Sequence, residues 1–127
     1  MPFRDFSRAF RDIADAISLI EEFTSGMDSD GFCEDPRTIA AVERKLLVIS
    51  EAAIRLGQEG ELRCPGLPWS EIRGIGNWLR HQYDAVELPV VWKRCVMIFR
   101  RSGLRYSALW QFLRKTRQVS NLRRSPI

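Results

Sequence analysis

The 127-residue sequence has only one histidine and three cysteines. The lone His81 excludes any multi-histidine metal centre, and Cys33, Cys64 and Cys95 form no CxxC pair, so a structural zinc site is not expected. Three thiols this far apart read as reduced, small apolar residues. No apolar run approaches membrane-spanning length. No charged-then-apolar leader is visible, because Met1-Pro2-Phe3-Arg4-Asp5 runs straight into amphipathic sequence. The expectation is a cytoplasmic protein with no membrane partner and no cofactor. Strand signals are missing too: there is no sustained alternation, no hairpin turn chemistry and no internal repeat.

Acid is missing from one part of the chain. Residues 1–87 hold ten Lys and Arg against sixteen Asp and Glu, a balance of −6, whereas residues 88–127 hold ten bases and no acid, or +10. Such a split raises a nucleic-acid hypothesis for the basic part.

What is present is helical periodicity. From Asp5 to about Thr24 the apolar residues Phe6, Phe10, Ile13, Ile17 and Ile20 recur at helix spacing, and Ser25-Gly26 ends the run. Residues 27–35 read as a connector with at most one helical turn. A second helix starts at Asp35 as cap and Pro36 as first residue. Its stripe is Ile39, Val42, Leu46, Ile49, Ala53 and Leu56, spaced three and four in alternation, with Gly57 placed to stop it. Residues 58–68 read as a loop from their Gly and Pro content. Ser70 is expected to cap a third helix to about Gln82, with Ile72, Ile75 and Leu79 inward and Trp78 beside them. Another helix is expected from Pro89, with Val91, Trp92, Cys95, Val96 and Phe99 as its apolar side. Helices joined by short connections predict an all-α, up-and-down bundle of four to five helices in a single domain.

The third helix carries the informative polar residues. Arg73, Asn77 and His81 stand at i, i+4 and i+8 on one drifting stripe, Arg80 flanks it, and Tyr83 can rejoin it if the helix ends there. A histidine can move a proton near neutral pH, and guanidinium groups stabilise charge developing on phosphoryl oxygens. RNA cleavage without a metal needs both, since the 2′-hydroxyl must lose its proton to attack the adjacent phosphate. Asn77 can orient the imidazole or bind phosphate, and Tyr83 can donate a hydrogen bond or stack on a base. By itself the same set also reads as a solvated helix end.

The stretch IRGIGNWLRHQYD (72–84), followed by Val86 and Val91-Trp92, resembles the HepT-like family of the HEPN superfamily. Ile20 to Thr24, the Thr38–Leu56 segment with Ser50-Glu51-Ala52-Ala53, and Pro68-Trp69 are similar to it as well. The resemblance covers residues 5–92 in order and spacing. It implies a helical bundle that forms a homodimer, with a metal-independent endoribonuclease site acting on RNA. It also implies the toxin half of a toxin–antitoxin pair, neutralised by a minimal nucleotidyltransferase antitoxin through adenylylation of Tyr83. AMP beside the site would block and repel an RNA phosphate. The site residues so implied are His81, Asn77 and Tyr83, with a motif arginine directly before the asparagine. Here that position is Gly76. Arg80 adjoins His81, and Arg73 stands roughly 12 Å away along the helix; either can supply the charge, with Arg80 the nearer. The alternative is a catalytically impaired binding module that keeps the dimer and the antitoxin partner.

The chain thus divides into a bundle over residues 1–92 and a divergent basic segment over residues 93–127. After Trp92 the resemblance stops. One encoding of Val96 to Gly103, read two bases on, gives Asp-Asp-Leu-Pro-Pro-Leu-Arg, as the family continuation would. The segment is therefore either translated out of frame from about residue 93, or a genuine last helix and basic arm with Tyr106, Trp110 and Phe112 able to stack on bases.

Overall fold

A computed structural model describes residues 3–81 and 88–96. Among them every regular element is helical: α1 (Phe3–Phe23), α2 (Ser29–Cys33), α3 (Pro36–Leu56), α4 (Gln58–Arg63), α5 (Trp69–His81) and α6 (Leu88–Val91), which runs into a π-helical turn, Trp92–Val96. The all-α bundle read from the sequence is the fold found. None of the described helices is long and apolar enough to cross a membrane.

The long helices form the frame. α3 lies between α1 and α5 and packs on both, while α2 and α6 close one end. The predicted stripe of α1 is the buried one: Phe10, Ile13, Ile17 and Ile20 lose their water contact completely or nearly so. On α3, Val42, Leu46, Ile49, Ala53 and Leu56 are buried, and Ala52 joins them. Each large apolar side chain buried this way contributes about 1.5–3 kcal/mol.

The ends of α3 follow the sequence closely. Asp35 Oδ1 accepts from the Thr38 N–H at 3.1 Å, and Oδ2 accepts from the Thr38 hydroxyl at 2.7 Å. At the other end Gly57 takes a φ of 54°, a left-handed value that favours glycine, and its N–H donates to Ala53 O at 3.2 Å. The bonds from the Thr38 side chain and backbone hold the Asp35 carboxyl below the usual carboxylate range. A depressed folded-state value adds stability that is present above the unfolded value of about 3.9 and lost as pH falls through the folded one. Asp35→Asn should therefore lower the melting temperature slightly at neutral pH and leave it nearly unchanged well below about pH 4, where the wild-type carboxyl is also neutral, so that the acid side of the profile is flatter.

Two elements differ from the sequence expectation. Residues 58–68 are not all loop, because α4 occupies Gln58–Arg63. Gly57 turns the chain, and helix resumes at once under a Glu59–Arg63 pair (2.8 Å) spaced i, i+4. Gly60 serves packing here: a Cβ on it would stand 3.0 Å from the Trp69 indole. Ser70 is not the cap of α5 either. The helix begins at Trp69, and Ile72 N–H donates back to Pro68 O at 3.0 Å. Trp69 anchors this corner, with Nε1 donating to Cys64 O at 2.7 Å and the Phe10 ring meeting it edge-on at 6.1 Å.

The expected helix from Pro89 starts one residue earlier and passes into the π turn. Val91, Trp92 and Val96 are buried, and Trp92 lies 5.2 Å from the Phe32 ring. Cys33 and Cys64 are both free thiols, and burial pushes the Cys64 thiol up from its ordinary value. Phe99 and the basic residues from 100 onward, with Tyr106, Trp110 and Phe112, lie outside the described residues.

Candidate active site

α5 presents two unlike sides. Ile72, Ile75 and Leu79 are buried against the bundle, with Gly76 beside them, while Asn77, Arg80 and His81 are exposed. Trp78 is half-buried against the edge of the core, as its place next to the apolar face predicted. Positions 77 and 81 share one row of the helix and positions 76 and 80 the neighbouring row.

The contact between α5 and α3 fixes how this surface is held. Ser50, buried within the α3 stripe, donates its hydroxyl to Arg73 O at 2.9 Å and accepts from the Gly76 N–H at 3.1 Å. A Cβ on Gly76 would stand 2.9 Å from Ser50 Oγ, closer than real contacts allow. Position 76 is thus where α5 approaches α3 with no side chain of its own, and only the Ser50 hydroxyl lies between the two helices. The same point lies 3.6 Å from Arg80 Nη2, so the Arg80 arm runs back along α5 over the glycine.

The two candidate arginines part here. Arg73 Nη2 donates to Gly57 O at 2.8 Å and also bonds the Glu61 carboxylate. Its Nε is buried without a partner. The side chain therefore ties α5 to the α3–α4 corner, away from the open surface. Arg80, by contrast, has no hydrogen-bond or ion-pair partner among the described residues, and neither do Asn77 and His81. The structure brings Asn77, Arg80 and His81 together on the last turns of α5 and removes Arg73 from them. Tyr83 lies outside the described residues.

This surface offers an imidazole for proton transfer, a guanidinium for an anion and an amide that can donate or accept. Among the described residues no group of three or more His, Cys, Asp or Glu is placed to hold a metal ion. Ser50 is the residue that sequence reasoning missed. Its signal was a polar side chain between Ile49 and Ala53 in an otherwise apolar stripe.

Comparison with known proteins gives the same family as the residue pattern. The family described as Ribonuclease HepT-like matches residues 13–115, past Trp92 and into the basic segment. A protein of Thermococcus cleftensis named "Probable ribonuclease HepT" is 39% identical over 82 residues, covering 65% of this chain and 74% of the relative. A proposed RNase of Methanocaldococcus jannaschii is 30% identical over 93 residues, covering 73% and 85%. No solved structure matches the chain.

Proposed function

The chain belongs to the ribonuclease HepT-like family, and on that premise we propose that it is a metal-independent endoribonuclease, the toxin of a toxin–antitoxin pair. His81 takes the proton from the 2′-hydroxyl as that oxygen attacks the neighbouring phosphate; the P–O5′ bond breaks, the leaving oxygen takes up a proton from water, and the products are a 2′,3′-cyclic phosphate and a 5′-hydroxyl end. Arg80 stabilises the charge gathering on the phosphoryl oxygens, and Asn77 orients the imidazole or the phosphate. Tyr83, two residues beyond His81 in the sequence, is the residue that a minimal nucleotidyltransferase antitoxin adenylylates, adding a bulky anion that would repel an RNA phosphate. Two copies pair to form the working cleft, in the cytoplasm. The observation that carries this reading is the exposed trio Asn77, Arg80 and His81, none of which has a partner among the described residues.

The test is cleavage of an RNA oligonucleotide by the purified protein in excess chelator, beside a copy with 2′-deoxy sugars throughout. Cleavage of the RNA alone supports the reading. A requirement for divalent metal, or equal cutting of the deoxy strand, contradicts it. Adding a minimal nucleotidyltransferase antitoxin with ATP should add one AMP and stop cleavage, and Tyr83→Phe should prevent both effects.

A second reading, a binding module with impaired catalysis, draws on Gly76, where the family pattern has arginine. Gly76→Arg separates the two. The new side chain must push α5 off Ser50, at a cost of about 1–3 kcal/mol. If Arg80 already supplies the charge, the substitution gains less than about tenfold in rate, against the roughly 10²–10³-fold that a missing donor is worth. Cleavage seen only in Gly76→Arg would favour the second reading.

The basic segment has two readings, a departure from the family's reading frame near residue 93 and the chain's own last helix and arm. The coding DNA decides this. If neither neighbouring frame encodes a family-like helix, residues 93–127 are the chain's own last helix and arm, which the family match to residue 115 favours.

A further inference from the structure

Ser50 is one of two buried polar side chains in the described core, and it is 1% exposed. Burying a hydroxyl costs free energy unless it is bonded, and this one is bonded on both sides. Both of its partners lie on a single turn of α5: it donates to the carbonyl of Arg73 and accepts from the N–H of Gly76. Within a helix those two backbone groups have partners of their own, so the helix does not need Ser50 in order to form. What the hydroxyl adds is placement. It joins α3 to α5 at a fixed height and rotation, one residue before Asn77.

The glycine makes the contact possible. With a Cβ at position 76 only 2.9 Å from Ser50 Oγ, hydroxyl and side chain could not share the space. The Arg73 side chain fixes the same turn from its other side, through Gly57 O and Glu61. Five residues beyond Gly76, His81 stands roughly 7.5 Å further along the axis, too far for the hydroxyl to touch the imidazole.

We propose that Ser50 is a positioning residue for the α5 site: its hydroxyl, held between Arg73 O and the Gly76 N–H, sets the height and rotation of α5 and so the aim of Asn77 and His81. This rests on the ribonuclease reading for its consequence in rate, but not for its consequence in geometry. Errors of about 1 Å in such placement cost up to 10²-fold in rate.

His81 is the only histidine in the chain, so its imidazole gives a single, assignable proton NMR signal that reports the site without any substrate. In Ser50→Ala that signal should move, and RNA cleavage at saturating substrate should fall about tenfold to 10²-fold with KM little changed. Gly76→Ala, which presses on the same oxygen, should move the signal as well and serves if Ser50→Ala folds poorly. Val42→Ala is the control. It opens the core of α3 two turns away from Ser50 and should lower the melting temperature while leaving signal and rate alone.

An unmoved His81 signal in both Ser50→Ala and Gly76→Ala overturns the proposal, as does an equal shift in Val42→Ala. If the wild type cleaves no RNA, the ribonuclease reading falls, and the His81 signal alone then decides for or against Ser50 as a positioning residue.

Discussion

His81→Ala should slow RNA cleavage by about 10²–10⁴-fold and leave the melting temperature almost unchanged. In barrier terms the loss is roughly 3–5 kcal/mol, the worth of one well-placed proton acceptor. The two halves of the prediction come from the same observation. His81 is exposed at the end of α5 and bonds nothing among the described residues, so its removal leaves no orphaned partner among them. Exposed substitutions of that kind stay within about 0.5 kcal/mol of the wild-type stability. A fall in rate at constant stability therefore isolates chemistry from folding. Parallel curves of RNA decay and thermal unfolding for wild type and His81→Ala make the measurement. Equal RNA decay from both would remove the enzymatic claim, and growth of cells expressing each protein checks the toxin claim in the same pair.

Trp69→Ala should have the largest effect on stability, about 3–5 kcal/mol, read as a fall in the urea midpoint. That is a large share of the roughly 5–15 kcal/mol that holds a domain of this size together. Trp69 is 2% exposed and does three things at once. It packs edge-on against Phe10, covers Gly60 of α4, and donates from Nε1 to Cys64 O. Deleting it opens a cavity where α1, α4 and α5 meet. Trp69→Phe separates these parts in large measure, since it keeps a ring at this position and loses the bond to Cys64 O, worth about 1 kcal/mol, together with the packing of the smaller part of the indole. If Trp69→Ala costs no more than Trp69→Phe, the corner is not held by the ring.

Much of the fold could be read from residue spacing, and the reason is local. The stripes of α1 and α3 repeat every three or four residues, and Asp35-Pro36 and Gly57 mark the ends of α3 with chemistry that acts within a single turn. α4 escaped because Gly60 and the nearby Gly and Pro outweighed a single Glu59–Arg63 pair in any local reading. Gly60 is there for the indole of Trp69, nine residues on, and no window-based argument sees that contact. Ser70 looked like a cap because capping residues also occur freely in first turns.

For the site, spacing placed Asn77 and His81 together on one surface and included Arg73 with them. Eight residues of drift and two partners from elsewhere, Gly57 and Glu61, put Arg73 to another use. Gly76 looked like a simple departure from the family pattern. In the structure it is also the point where α3 and α5 meet, a fact that depends on Ser50, twenty-six residues away in sequence. Both surprises are tertiary, and both turn on which side chain crosses between helices.

The tie between Arg73 and the α3–α4 corner also bears on how this bundle would hold a polyanion. Affinity for nucleic acid rises with each phosphate neutralised, because each one frees condensed cations into solution, with a logarithmic salt slope of about −0.7 per phosphate on single strands. Arg73 is paired with Glu61 and adds little to such displacement. The open surface of α5 is left with Arg80, joined by His81 only when protonated. An RNA strand held by that surface alone would gain little from counterion release, and its grip would hardly change between dilute and physiological salt.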